Sequence, residues 1–406
     1  MVRMALLDKK ILLAITGGIA AYKSAELCRL LTKAGAQVRV VMTQGAQAFI
    51  TPLTLQALSG HPVHTDLLDT QAEAAMGHIE LARWADLIVI APASADIIAK
   101  IAHGLAGDLL TTLCLATDKP IALAPAMNRL MWSNAATQHN VQTLIERNVL
   151  LFGPGTGEQA CGETGVGRMQ EPEEIYQQVL SVLSDKPLKG QRWLITAGPT
   201  QEKIDPVRYL TNKSSGKMGF AIAQAAARAG AEVVLVAGPV HQETPFGVIR
   251  QDVESAQQML QAVKQHIDNC HIFVSCAAVS DYRSAVISEQ KMKKNNDHGL
   301  LLELEQNPDI LKWAASQSEA FCVGFAAETQ NIEEYAKAKM LRKGIKVICA
   351  NDVSKEGLGF SSESNEVCVY YQHEGVIKKK SIGPALKKEI AKHLVLLLDE
   401  LNSLIQ

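Results

Sequence analysis

Two stretches of this 406-residue chain share one local pattern, and that pattern restricts the fold more than any other feature. Residues 10–15, KILLAI, are a short apolar run, followed by the turn TGG, by IAAYKSAELCRLLTKAG with apolar positions at helical spacing, and by the strand-like AQVRVVMT. Strand, glycine turn, helix and strand in that order predict a βαβ unit. ADLIVIAPAS and KPIALAPAMN add buried strands ending in small or polar residues, so a parallel sheet with helices on both faces is expected, with ligands at the carboxyl ends of its strands. The pattern restarts at RWLITAGPT and runs through GKMGFAIAQAAARAG and AEVVLVAGPV to IFVSCAAVSD and KVICANDV. Between the two lies SDKPLKGQR, residues 184–192, polar and with a proline and a glycine, which reads as a connection. The expectation is two α/β domains, residues 1–185 and 190–406.

Composition narrows the function. A length of 406 residues exceeds one core, and 47% hydrophobic residues can fill two. With 40 basic and 42 acidic residues there is no general attraction to nucleic acid or to an anionic membrane, so neither is expected as a partner. Eight scattered cysteines, with no CxxC pair and no Cys/His cluster, argue against a zinc site or a disulfide framework. Asp8, Lys9 and Lys10 interrupt the first apolar run, and no uncharged apolar stretch reaches about 18 residues, so a cytoplasmic protein is expected.

Taken singly, the motifs are ambiguous. TGGIAAYK, with Gly17 and Gly18, suits a phosphate at a helix N-terminus, but neither half has a complete G-x-G-x-x-G. SSGKMG has part of a P-loop, yet Thr211 stands where its first glycine belongs and Met218 where its hydroxyl residue belongs, which argues against a Walker-type NTPase. The stretch GPGTGEQACGETGVGRM, residues 153–169, carries Cys161 among glycines and reads as a shaped loop able to lie over a ligand. His78, by itself, would be a core-boundary histidine, and Asn128 a helix cap. The lysines of KMKK (Lys291, Lys293, Lys294) and the basic residues of YAKAKMLRKG would be solvated charges.

In combination they say more. MGHIEL with His78, APAS with Ser94, PAMN with Asn128 and QACG with Cys161 resemble the flavin-dependent cysteine decarboxylases over residues 8 to about 180. ITAGPTQEKIDPVRYLTNKSSGKMGFAIA, CAAVSDYR, KMKK, NPDI, GFAAET and ICAND resemble the phosphopantothenoylcysteine ligases. Both in one chain, in this order, resemble the bacterial bifunctional enzymes of coenzyme A biosynthesis. The resemblance implies a flavodoxin-like flavoprotein domain followed by a Rossmann-like ligase domain.

For the first half it implies FMN, held at Gly17, Gly18, Thr43 and Ser94, with Asp96 a less secure contact because many relatives have asparagine there. His78 would lie beside the flavin, Asn128 would bind the carboxylate of the substrate's cysteine moiety, and Cys161 would protonate the ene-thiolate left when CO2 departs. For the second half it implies CTP-dependent joining of 4′-phosphopantothenate and cysteine through an acyl-cytidylate. Lys291, Lys339 and Lys343 would be ligands of the CTP phosphates, Asp281 would hold Mg2+, and Asn212 would serve the step from cytidylate to product. Arg208 would hold the phosphate of phosphopantothenate. Ala277, Asn307, Pro308, Asp309, Ile310 and Phe325 would complete the binding site. Trimer-based flavin domains and dimeric ligase domains are implied as well.

Three rivals are weaker. A decarboxylase of peptide C-terminal cysteines has no use for a fused ligase. A non-catalytic flavin-binding regulator would carry a long acidic tail, whereas this chain ends in PALKKEIAKHLVLLLDELNSLIQ. A nicotinamide dehydrogenase lacks its dinucleotide fingerprint.

Overall fold

The computed structural model describes residues 5–67, 77–293, 300–328, 330–352 and 362–405. The chain forms two compact units, 1–184 and 185–406. Among the described residues of the first unit, β1 (Lys10–Ile15), β2 (Gln37–Met42), β3 (Val63–His64), β4 (Leu87–Ala93), β5 (Ile121–Pro125) and β6 (Leu150–Leu151) pair in the order β3-β2-β1-β4-β5-β6. All five pairings are parallel. The doubly wound class is as expected, but the order is that of the Rossmann sheet rather than the 2-1-3-4-5 of flavodoxins, which refines the flavodoxin-like label.

The apolar runs follow from burial on both faces. Leu13, Ile15 and Val89 pack with Leu27, Leu31 and Val179 on one side. Leu12, Ala14 and Ile90 pack with Ile97, Ile98 and Leu113 on the other. Successive strand residues point to opposite faces, so a strand covered twice is apolar throughout. Each such Leu, Ile or Val contributes roughly 1.5–3 kcal/mol of transfer free energy. The glycine-rich stretch read as a loop is in fact a hairpin, β7 (Gly155–Glu158) and β8 (Thr164–Arg168), with Cys161 at its tip.

The second unit repeats the plan through β9 (Arg192–Ala197), β10 (Gln201–Asp205), β11 (Arg208–Thr211), β12 (Glu232–Ala237), β13 (Val248–Asp252) and β14 (Ile272–Ser275). It continues with β15 (Tyr282–Ser284), β16 (Leu304–Gln306), β17 (Phe321–Glu328), β18 (Val347–Asp352), β19 (Ser364–His373) and β20 (Val376–Leu386). The main sheet runs β13-β12-β9-β14-β17-β18-β19-β20. It is parallel as far as β18, whereas β19 and β20 join it antiparallel. This pair departs from the purely parallel expectation. Glu374 and Gly375 both have positive φ at its turn, the geometry that suits a two-residue hairpin. In both sheets the order reverses beside the first strand, at β1/β4 and at β9/β14, which opens a crevice at the carboxyl ends.

Candidate functional site

In the first unit one hydroxyl ties together the strand ends that flank the crevice. Thr16, directly after β1, donates to the Pro92 carbonyl at 2.7 Å and accepts from the Ser94 N–H at 3.0 Å, tying the two central strands together. Ser94 caps the helix Ala95–Ala102 by accepting from Ile97 N at 3.3 Å. Thr43 directly follows β2, caps the next turn by accepting from Ala46 N, and its own N–H reaches the Ile15 carbonyl. Gly17 packs against Gly45, and a Cβ at residue 17 would stand 3.0 Å from the Gly45 carbonyl carbon and oxygen. Among the described residues, nothing beyond its chain neighbours lies within 4 Å of a Cβ built on Gly18. The helix Ala21–Lys33 that follows has no side-chain cap. An uncapped helix start behind two glycines, flanked by two hydroxyls, fits the phosphate and ring edge of a flavin nucleotide. Asp96, by contrast, is paired with Lys100 at 2.8 Å.

Asn128 follows β5. Its Oδ1 accepts from Leu130 N at 2.8 Å, so the capping role expected of it is real, and its Nδ2 faces the hairpin tip. There it lies 2.9 Å from Glu163 Oε2, 3.4 Å from Gln159 Oε1 and 3.5 Å from Cys161 Sγ. The hairpin approaches because Met127 N donates to the Gly167 carbonyl at 2.9 Å, and because Gly167, at φ +141°, leaves room where a Cβ would stand 2.5 Å from the Met127 carbonyl oxygen. Asn128 and Cys161 are thus brought together from 33 residues apart. His78 opens the helix His78–Trp84 and is half-buried.

The second unit holds a cavity of about 930 Å³ at its own switch point. Asn212, Ala277, Asp281 and the run Asn307, Pro308, Asp309, Ile310 line it, as do Phe325, Lys339 and Lys343. The Asn212 amide is held by the Val279 carbonyl at 3.0 Å, and the Asn307 amide by the Ser280 carbonyl at 2.9 Å. Asp309 caps the helix Ile310–Gln317 and forms an ion pair with Lys343. Burial would raise its carboxyl, but the Lys343 ammonium and the Lys312 N–H outweigh this and hold it below the usual range. Lys339 donates to the Phe325 carbonyl at 2.9 Å. Among the described residues no ion pair or side-chain hydrogen bond engages the Asp281 carboxylate.

Two expected residues stand elsewhere. Arg208 and Lys291 do not line the cavity. Arg208 is committed to Asp205 Oδ2 at 2.8 Å and to the Met292 carbonyl at 2.7 Å, which binds the segment carrying Lys291 to the β10–β11 turn. Lys294 lies outside the described residues. Conversely, the cavity wall includes Lys217, Lys387, Asn351 and Asn365, which sequence reading did not single out. Burial lowers the Lys387 ammonium, with Lys217 adding to the effect. Lys217 lies in the quoted SSGKMG and Asn351 in the quoted ICAND, whereas only contact across the sheet reveals Lys387 and Asn365.

The two folds and crevices define a flavoprotein unit followed by a second nucleotide-type α/β unit. Residues 3–184 match the family model "Flavoprotein", and residues 188–401 match "DNA/pantothenate metabolism flavoprotein C-terminal domain". The chain is 56% identical over 370 residues, 90% of this chain and 93% of the other, to the coenzyme A biosynthesis bifunctional protein CoaBC of Vibrio cholerae. It is 51% identical over 396 residues, 95% and 98%, to the protein of the same name from Escherichia coli strain K12. A crystal structure of the C-terminal domain of a coenzyme A biosynthesis bifunctional protein covers 53% of this chain and 100% of its own, at 41% identity and a TM-score of 0.44. The chain belongs to the family of the coenzyme A biosynthesis bifunctional proteins, enzymes with a flavoprotein decarboxylase half and a ligase half. This sets aside the regulatory alternative.

Proposed function

We propose that residues 190–406 join cysteine to 4′-phosphopantothenate with CTP and Mg2+, and that residues 1–185 then use FMN to decarboxylate the product to 4′-phosphopantetheine. The observation that carries the ligase reading is the gathering of Asn212, Asp281, Asn307–Ile310, Lys339 and Lys343 around one cavity. A carboxylate oxygen of phosphopantothenate attacks the α-phosphorus of CTP and releases pyrophosphate, after which the cysteine amine attacks the acyl carbon and CMP leaves. Lys339 and Lys343 offset the phosphate charge. Asp281, unengaged by any described cation, supplies one carboxylate oxygen to Mg2+, with phosphate oxygens as further ligands. Lys291 joins the phosphates when its segment, or that of a second copy, closes over the cavity, and Arg208 takes the phosphate of phosphopantothenate on the same rim.

In the first unit Gly17, Gly18, Thr43 and Ser94 hold FMN, which supplies the two-electron chemistry. His78, whose imidazole can accept a proton at one nitrogen and release it again, handles the substrate thiol proton. The Asn128 Nδ2 hydrogens bind the substrate carboxylate. Once CO2 has left, the Cys161 S–H bond breaks and its proton goes to the ene-thiolate carbon, while the hairpin excludes water. The resulting thiolate regains its proton from solvent.

The assignments also predict an oligomer, with trimer-based flavin domains and dimeric ligase domains. Large exposed side chains on the first unit, among them Ile19, Tyr22, Phe49 and Leu53, support an association surface. No helix of the described residues is long and apolar enough to cross a membrane, and all eight cysteines are unpaired, which supports the cytoplasm.

Two substitutions test the ligase assignments. Lys291→Gln should stop release of pyrophosphate. Asn212→Asp should release it and accumulate phosphopantothenoyl-CMP. Decarboxylation of supplied phosphopantothenoylcysteine should persist in both. If Asn212→Asp forms no cytidylate, or Lys291→Gln accumulates it, the division of roles is wrong.

A further inference from the structure

The Asn128 side chain has no freedom to turn over. Its Oδ1 is used by the Leu130 N–H, so only N–H donors face the hairpin tip. The tip itself is a tight unit: Gln159 N donates to the Glu163 carbonyl and Gly162 N to the Gln159 carbonyl, both at 2.8 Å, so Cys161 and Glu163 move together. On those donors, at 2.9 Å, sits a carboxylate that belongs to the protein, that of Glu163. Arg129 Nε stands 3.3 Å from the same oxygen. The Asn128 amide, and after it the Arg129 charge, hold the Glu163 carboxyl below its usual range, so it is an anion at neutral pH.

We propose that Glu163 is a placeholder for the substrate carboxylate: it leaves the Asn128 amide when a carboxylate-bearing substrate enters, and returns when that carboxylate has departed as CO2. The idea rests on the reading that Asn128 binds the substrate carboxylate. A substrate carboxylate that takes both N–H groups of the amide leaves none for Glu163, and two carboxylates at contact distance on one nitrogen repel. Entry of the substrate carboxylate therefore displaces Glu163, and with it the tip that carries Cys161. Loss of CO2 vacates the amide, Glu163 goes back to it, and the same motion returns the Cys161 Sγ to 3.5 Å from Asn128. The proton donor is delivered after the carbon–carbon bond has broken, and is kept away before. Glu163 is a positioning residue in this scheme; it touches no reacting atom.

Two unreactive ligands that differ only in the carboxylate provide the test: 4′-phosphopantothenoyl-serine and 4′-phosphopantothenoyl-ethanolamine, titrated by calorimetry into the flavin-loaded full chain. Glu163→Ala removes the internal competitor, so the serine compound should bind about tenfold more tightly while the ethanolamine compound changes less than about twofold. Glu163→Gln, which keeps an acceptor but not the charge, should fall between. Equal affinities in Glu163→Ala and the native chain would overturn the placeholder. Asn128→Ala separates the two layers. If that variant loses its preference for the serine compound while Glu163→Ala gains nothing, only the placeholder fails; if Asn128→Ala still prefers the serine compound as the native chain does, the reading of Asn128 fails and the placeholder with it.

Discussion

Thr16 and Ser94 are joined across the switch point of the first sheet, the Thr16 hydroxyl accepting the Ser94 N–H at 3.0 Å while donating to the Pro92 carbonyl at 2.7 Å. Thr16 is buried, so removal of its hydroxyl strands the part-buried Ser94 N–H and the buried Pro92 carbonyl. Thr16→Val keeps the shape and should destabilise the first unit by about 1–3 kcal/mol. Heating while following flavin fluorescence should show earlier flavin release, with ligase activity unchanged at 25 °C. Unaltered release would show that the hydroxyl does not support the crevice.

Gly167 holds the hairpin against the PAMN turn. Alanine there would have to move the Met127 carbonyl, which a Cβ would approach to 2.5 Å, and would sit at φ +141°. The strain, of order 1–3 kcal/mol, should displace Asn128 and lower decarboxylation at least tenfold. Pyrophosphate release by the same variant should be normal. Native decarboxylation in Gly167→Ala would remove the geometric basis of the first site.

The doubly wound class was legible because parallel strands covered on both faces are apolar throughout, as KILLAI and LIVIAPA are. β19 and β20 escaped because buried and less buried positions alternate along much of β19 and most of β20 is exposed, leaving no continuous run. The hairpin turn Glu374–Gly375 was their one available local signal. Asn128 and Cys161 were legible through the family resemblance, not through spacing, since 33 residues separate them. Thr16, Glu163, Lys387 and Asn365 gain their positions from partners far along the chain or across a hairpin, and no local pattern marks them. Arg208 and Lys291 were expected in the cavity, but a guanidinium next to a buried carboxylate is drawn to it first, and Asp205 holds Arg208 on the rim.

Asp205 gives the second unit a defined response to acid. Burial alone would raise its carboxyl, but the N–H groups of Val207, Met292 and Arg208 and the Arg208 guanidinium bring it down to about 2. A folded-state value below the unfolded one means that the carboxylate stabilises the fold above about pH 4. That contribution is lost as the pH falls from about 4 through 2. Asp205→Asn should therefore be less stable than the native chain at pH 7, with the gap narrowing across that window in urea titrations. A gap independent of pH would show that the charge is not what holds the turn.

Cys161→Ser should retain flavin and should still bleach it when phosphopantothenoylcysteine is added. Completion requires a proton that a serine hydroxyl gives up far less readily than a thiol, so 4′-phosphopantetheine should form roughly a hundredfold more slowly or worse. Stopped-flow absorbance with quenched product analysis checks both. Normal product formation would remove Cys161 from the chemistry.

If one chain performs two successive reactions at two crevices, a single mixture must show both. The most direct measurement is mass spectrometry of quenched mixtures of the purified full chain with CTP, Mg2+ and 4′-phosphopantothenate, with and without cysteine. Without cysteine the account predicts pyrophosphate and the acyl-cytidylate; with cysteine it predicts CMP, CO2 and 4′-phosphopantetheine. Absence of any cytidylate, or accumulation of phosphopantothenoylcysteine with no loss of CO2 by flavin-loaded protein, would contradict it.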